Sequence, residues 1–174
     1  MLLGFVTMGL FPISIISLII YAIIYLIRRP KDKYKSFSCH LMRYMLIGCV
    51  LCLMYLTIFL GGFEYNDTIR LINLHPFVWI KATYQMGYGM MMKQLLTNIA
   101  MFVPYGVLIP AVFSRMRKWW KTGITVFATS FVIEAVQYFI GRSSDVDDLI
   151  MNTIGGCLGY GIFFLLDICL NKKK

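Results

Sequence analysis

The chain has 174 residues, of which 59% are hydrophobic and only 14% are charged, and its mean hydropathy is +0.73. Soluble globular domains carry about 25% charged residues, so this composition excludes a water-soluble globule and indicates a membrane protein. The formal net charge of +9 is also compatible with a nucleic-acid partner, and the positions of the basic residues decide between the two interpretations.

Five segments are long and apolar enough to cross a bilayer. A helix of about 20 residues spans roughly 30 Å of hydrocarbon, at about 1.5 Å per residue. The segments run over residues 1–27, 44–63, 94–114, 122–141 and 149–166, and only Glu134 brings a charge into any of them. No basic residue precedes the first segment, so it is expected to remain as a span and not to be cleaved as a signal peptide. The sequence predicts an all-α integral membrane bundle of five transmembrane helices.

Basic residues are concentrated in alternate connections between these segments. Most of the 17 Lys and Arg belong to the first connection, the third connection or the C-terminal tail: Arg28, Arg29, Lys31, Lys33, Lys35 and Arg43, then Arg115, Arg117, Lys118 and Lys121, then Lys172, Lys173 and Lys174. The positive-inside rule then predicts an N-terminus outside and a C-terminus in the cytoplasm of a multi-pass plasma membrane protein. The basic excess is thus an orientation signal, with contact to anionic lipid head groups as a secondary effect. No nucleic-acid partner is expected.

The chain divides into three parts. Residues 1–63 form two N-terminal transmembrane helices, residues 64–170 form a core, and residues 171–174 form a basic cytoplasmic tail. The core is expected to hold an outer interfacial segment over 64–90 and three transmembrane helices over 91–170. The outer segment is aromatic and apolar but too short to span, which favours a position at the head-group level or a re-entrant path.

Polar residues inside the last three spans require an explanation. An ionisable side chain within the bilayer costs roughly 2.5–3.5 kcal/mol on insertion scales unless it is paired or hydrated. Glu134 has Gln137 three positions later on the same helix face. Either Glu134 forms a structural ion pair with Arg142, or it is an acid within a binding pocket.

The start of the fifth span adds further acids. Capping of the helix N-terminus can account for Asp145 or Asp147, but it does not account for Asn152, one turn further in. Because the third span enters the membrane from the same side, we expect Asn98 to lie at a depth similar to that of Glu134 and Asn152. The pattern predicts one polar pocket open to the outer face, formed by Asn98, Glu134, Gln137, Arg142, Asp145, Asp148 and Asn152.

Proline and glycine residues indicate how the last three helices pack. Pro104 is expected to kink the third helix, and Gly106 follows it. Gly155, Gly156 and Gly159, with Gly161 beyond, give the fifth helix a small-residue face on which another helix can approach closely.

Cysteines do not indicate a disulfide framework or a metal site. They number five, and all lie in expected spans or on the expected cytoplasmic side. Cys49 and Cys52 have CxxC spacing, but both lie in the middle of a span without a second such pair. They are interpreted as small apolar packing residues.

Four stretches, in order, resemble the VanZ-like family: residues 73–77, 98–106, 134–137 and 142–160. Residues 1–60 resemble it only as hydrophobic spans. The family is known for a member that raises tolerance to teicoplanin, a glycopeptide with a lipid tail, without remodelling the peptidoglycan stem. The resemblance implies a membrane context, a link to antibiotic resistance, and a role for Asn73, Pro76 and Phe77 of the outer segment, but it implies no reaction.

Three functional hypotheses stay open. The favoured one is an accessory factor whose outer pocket binds membrane lipid, a lipid-linked cell-wall precursor or the lipoglycopeptide. An alternative is a metal-assisted intramembrane enzyme that modifies an outer-leaflet lipid or a lipid-linked cell-wall precursor. In it a cation such as Mg²⁺ is held by oxygen ligands and Arg142 holds a phosphate. The oxygen ligands are Glu134, Asp145 and Asp148, with Asn98 and Asn152. No histidine base or activated nucleophile accompanies these acids. A small transporter is the second alternative, although five spans without internal repeats are few for alternating access. Whether the chain is an enzyme, which cofactor it uses and its oligomeric state are not determined by the sequence.

Overall fold

The computed structural model describes residues 9–32, 36–59, 72–73, 76–77, 84–85, 87–142 and 144–171. The described chain is predominantly helical. Its long helices are α1 (Phe11–Asp32), α2 (Phe37–Met54), α3 (Tyr88–Val112), α4 (Trp119–Phe139) and α5 (Val146–Asn171). A π-helical turn, Tyr55–Phe59, extends α2, and a short 3-10 turn, Ser114–Met116, connects α3 to α4.

Five helices in the described part of the chain are long and apolar enough to cross a membrane, which confirms the prediction of a five-span all-α protein. The second candidate span begins at Phe37, earlier than expected, so that His40 and Arg43 lie within α2 and not in the preceding loop. The fifth begins at Val146, so Asp147 and Asp148 belong to the first turn of α5, and Asp145 lies just before the helix. Most of the expected outer segment 64–90 and the tail residues 172–174 lie outside the described residues.

A two-residue strand pair joins distant parts of the chain. Strand β1 (Ile72–Asn73) pairs in parallel with β2 (Ser144–Asp145), placing Ile72 opposite Ser144 and Asn73 opposite Asp145. The chain immediately before α5 therefore holds Ile72–Asn73 of the outer segment by backbone hydrogen bonds.

Helices α3 and α5 approach each other at backbone distance. A Cβ atom built on Gly106 would overlap the carbonyl of Gly156, one on Gly155 would overlap the carbonyl of Ile99, and one on Gly159 would overlap the carbonyl of Val103. Gly161 is not part of this contact, because a Cβ there would meet nothing within 4 Å. Helix α3 continues through Pro104 and Pro110.

A small apolar core lies between α2, α3 and α4. It is built around Leu53, Phe102, Val126 and Ile133, of which Phe102 and Val126 are completely buried. Many large apolar side chains of the described helices point outward, as is appropriate for surfaces that face lipid. Helix α1 packs on α2, and the Tyr21 hydroxyl lies 2.6 Å from His40 Nδ1.

Candidate functional site

One end of the bundle carries four acidic residues, Glu134, Asp145, Asp147 and Asp148. We refer to it as the acidic end; α2 and α4 end there, and α3 and α5 begin there. It forms because the helices alternate in direction, which brings the last turns of α4 beside the first turns of α5. The residues that the sequence predicted as a pocket are all at this end, in separate hydrogen-bonded groups.

Glu134 lies in the last turns of α4 and is only 6% exposed. Its Oε2 atom accepts a hydrogen bond of 3.2 Å from the Ser144 hydroxyl and one of 3.1 Å from the backbone N–H of Asp145. The carboxylate of one helix thus receives donors at the N-terminal end of the next, where the helix dipole favours negative charge. Glu134 links α4 to the entry of α5.

Asp147 is completely buried in the first turn of α5. Its Oδ1 atom accepts a hydrogen bond of 2.7 Å from the backbone N–H of Phe77, and its own N–H donates to Asp145 Oδ1 at 3.0 Å. Its Oδ2 atom has no hydrogen-bond partner among the described residues. A buried acceptor of this kind is unfavourable unless a donor reaches it.

Two amides extend the site toward the middle of the bundle. The Asn98 side chain donates to Asp148 Oδ1 at 2.5 Å, which joins α3 to α5. The Asn152 side chain donates to the Ser130 hydroxyl at 2.9 Å, which joins α5 to α4. Asn152 is 3% exposed, and its Oδ1 atom is a second buried acceptor without a partner in the described part of the chain.

Gln137 and Arg142 both reach back to α2. Gln137 Nε2 and Arg142 Nη1 donate to the carbonyl of Thr57, at 2.9 Å and 2.6 Å. An ion pair between Arg142 and a carboxylate, one of the two interpretations of Glu134, does not occur among the described residues. The Arg142 guanidinium instead donates to the π-helical turn. It can share the Thr57 carbonyl with Gln137 because a carbonyl oxygen accepts two hydrogen bonds.

Residues of the outer segment lie against this end to different degrees. Phe77 contacts Asp147 through its backbone and Asn73 is held by strand pairing, whereas Pro76 is exposed in the turn between them. Phe77 has a φ of 69°, a left-handed conformation that is uncommon for a side chain of its size. Such strain persists where surrounding contacts impose it and is frequent at functional sites.

Sequence reasoning left four participants out of the predicted pocket: Asp147, Thr57, Ser130 and Ser144. Asp147 was attributed to helix capping, because it does not share the helix face of Asp145, Asp148 and Asn152. Thr57 takes part through a backbone carbonyl, which side-chain patterns do not reveal. Ser130 lies four positions before Glu134 on the same helix face, and this spacing was a usable signal.

The donor set does not assemble into a metal site. In the part of the chain that the structure describes, no three His, Cys, Asp or Glu side chains are placed to hold one ion. Glu134 Oε2 and Asp148 Oδ1 accept hydrogen bonds from protein donors. The three acids of the enzyme hypothesis are therefore not gathered as one ligand set in the described part of the chain.

An apolar groove of about 490 Å³ runs between α2 and α4. Its walls extend along α4 from Ile124 to Val136, and from Val50 of α2 to Ile58 of the π-helical turn. Val136 and Ile58 are sequence neighbours of Gln137 and Thr57, which are hydrogen-bonded to each other. The groove thus leads along the bundle to the acidic end.

Comparison with known proteins identifies the family. Residues 46–167 match the VanZ/LLP1 protein family, a range that begins within α2 and extends to the last turn of α5. The chain belongs to the VanZ/LLP1 family. Protein VanZ of Enterococcus faecium is 30% identical to it over 116 residues, which is 66% of this chain and 65% of that protein, just under two thirds of the relative's own length. No solved structure matches the chain.

Family membership and the five helices establish the setting of the site. The chain is a multi-pass plasma membrane protein of the VanZ-like family, and the family is associated with teicoplanin resistance. The matched range contains every residue of the acidic end and leaves out α1. The polar groups described above therefore belong to the part of the chain that is shared with the family.

Proposed function

We propose that this VanZ-like protein is an accessory factor whose acidic end binds a lipid-like or lipid-linked amphiphile and thereby lowers susceptibility to lipoglycopeptide antibiotics of the teicoplanin type. The observation that carries the proposal is a pair of buried acceptors, Asp147 Oδ2 and Asn152 Oδ1, for which the described residues supply no hydrogen-bond donor. Leaving such a group unsatisfied costs about 1–3 kcal/mol. Hydroxyl or amide donors of a bound head group would remove this cost.

The groove between α2 and α4 is the proposed binding place for the apolar part of the ligand. It is lined almost entirely by aliphatic side chains and ends beside the hydrogen bond between Gln137 and Thr57. Binding sites for small molecules combine an apolar cavity with a few oriented polar groups. Lipid-linked wall precursors and lipoglycopeptides both join a long apolar chain to a head group rich in hydroxyl and amide donors, so both fit the same arrangement.

The proposal also requires that the acidic end faces the outside of the cell. If the basic connections face the cytoplasm, as the positive-inside rule predicts, then the acidic end faces outward, where wall precursors and glycopeptides occur. Neither the catalytic alternative nor the transporter is favoured by a specific contact among the described residues.

Asp147→Asn tests the proposal with the smallest change of shape. The amide oxygen can still accept from the Phe77 N–H, but the unpartnered acceptor Oδ2 becomes an NH₂ donor. We expect cells that express the variant to lose their teicoplanin tolerance, measured as the minimum inhibitory concentration. Purified variant protein should also retain less teicoplanin, or less lipid-linked wall precursor, than the wild-type protein.

Asp167→Asn is the matched control, because Asp167 lies at the other end of α5 and forms a weak pair with Arg117 at 3.8 Å. It should leave tolerance unchanged. Glu134→Gln and Asp148→Asn are expected to act like the Asp147 variant while the protein still accumulates in the membrane. Full tolerance in the Asp147 variant at normal abundance would refute a working role for this carboxylate.

A further inference from the structure

A cavity with two arginines in its wall lies at the opposite end of the bundle, which we refer to as the basic end. The cavity has a volume of about 200 Å³ and lies between α1, α2 and the C-terminal end of α3. Arg28 of α1 and Arg43 of α2 both line it, and Tyr21 adds a hydroxyl-bearing ring. Both arginines precede the matched family range, so the proposed function does not involve them.

The wall of this cavity is held by contacts between α1 and α2. The Tyr21 hydroxyl lies 2.6 Å from His40 Nδ1, and the rings of Tyr25 and His40 meet edge to face with centroids 5.5 Å apart. A further edge-to-face contact joins Tyr21 to Tyr44. These contacts fix how α1 sits on α2, and therefore bring Arg28 and Arg43 to the same cavity.

An apolar groove continues from the cavity along α2. It has a volume of about 310 Å³ and is lined only by aliphatic side chains, with Ile20 of α1 on one side and Val50 and Leu51 of α2 on the other. Leu46 and Ile47 line both the cavity and the groove, so the two spaces are adjacent. From Arg43 to Leu51 the helix rises about 12 Å, a length that matches a substantial part of an acyl chain.

We propose that this composite site binds an anionic phospholipid, with its phosphate between Arg28 and Arg43 and one acyl chain in the groove. Guanidinium groups bind phosphate through paired, charge-assisted hydrogen bonds. Basic pockets between transmembrane helices are known places for anionic head groups. The groove supplies an apolar surface that a free phosphate ion would not contact. The cavity and the groove together therefore favour a lipid over phosphate alone.

Native mass spectrometry of the purified full chain tests the assignment. Protein reconstituted with phosphatidylglycerol should retain this lipid more strongly than phosphatidylcholine, whose head group has no net charge. Arg28→Gln and Arg43→Gln should each lower the retained phosphatidylglycerol about tenfold, as expected for the loss of a charge-assisted hydrogen bond to phosphate. Arg115→Gln is the control, because Arg115 is an exposed arginine at the same end of the bundle and does not line the cavity.

Three outcomes would overturn the proposal. Equal loss in the Arg115 variant would show diffuse attraction to the basic surface, and equal retention of the two lipids would show that charge does not select. Displacement of the lipid by inorganic phosphate alone would show that the groove contributes nothing. If the Arg43 variant fails to accumulate, the Arg28 variant decides the result, because Arg28 is exposed near the end of α1. Teicoplanin tolerance is measured in parallel, so failure of this site is distinguishable from failure of the acidic end.

Discussion

The backbone N–H of Phe77 donates a hydrogen bond of 2.7 Å to Oδ1 of Asp147, a residue 70 positions later in the chain. Together with the pairing of β1 and β2, this bond holds part of the outer segment over the first turn of α5. The Phe77 side chain is left 58% exposed, next to a carboxylate that is completely buried. The backbone of the outer segment therefore closes one side of the acidic end and presents an aromatic ring beside it.

Replacement of Phe77 by glycine distinguishes the contribution of the aromatic ring from that of the backbone conformation. The φ of 69° is easy for glycine and strained for phenylalanine. The relief of strain and the greater entropy of unfolded glycine oppose each other, so thermal unfolding in detergent should change by less than about 1 kcal/mol. If the ring contacts the ligand, teicoplanin tolerance should fall despite this stability. Unchanged tolerance would leave only the backbone of Phe77 with a role.

Glu134 should reveal how much the α4–α5 link contributes to stability. Glu134→Ala removes the acceptor of two partly buried donors, the Ser144 hydroxyl and the Asp145 N–H, and should destabilise the protein by about 2 kcal/mol in thermal unfolding. Glu134→Gln keeps an amide oxygen as acceptor and should cost about 1 kcal/mol. Equal losses in the two variants would argue against the hydrogen bonds as the source of the effect.

Glycine substitutions should distinguish the packed face of α5 from its open face. Gly155→Ala places a methyl group against the carbonyl of Ile99, and Gly106→Ala places one against the carbonyl of Gly156. Overpacking against backbone should cost about 1–3 kcal/mol and lower the amount of folded protein. Gly161→Ala is the matched control, since its methyl group meets nothing within 4 Å and alanine is favoured over glycine in a helix by about 1 kcal/mol. A loss in the Gly161 variant equal to the other two would contradict the close approach of α3 and α5.

Membrane orientation is testable with a reporter that is active only in the cytoplasm. Fusions after Lys33, Asn66 and Lys174 should be active, inactive and active, respectively, because the basic connections are expected inside. An active reporter after Asn66 would turn the acidic end toward the cytoplasm. The proposed contact with extracellular glycopeptides would then be wrong.

The number of spans could be predicted from the sequence because it depends on local properties. A run of apolar residues long enough to cross the bilayer must satisfy its backbone hydrogen bonds internally, so it forms a helix whatever its neighbours are. Glu134 and Asn152 could be recognised as unusual for the same reason, since a polar group in such a run has a cost that depends only on depth. The exact start of α2 was missed, because Arg43 interrupts the apolar pattern without interrupting the helix.

Tertiary structure alone decided which partner each polar group takes. The sequence assigned Asp145 and Asp148 to the pocket and left Asp147 to helix capping. In the structure Asp147 is the completely buried acid, and its carboxylate accepts a hydrogen bond from the Phe77 backbone. An ion pair of Arg142 with Glu134 was one of two interpretations of the sequence, but in the structure Arg142 donates to the carbonyl of Thr57 in the π-helical turn. The physical reason is that a buried polar group is stabilised by any correctly placed donor or acceptor, including backbone atoms that have no signature in the sequence.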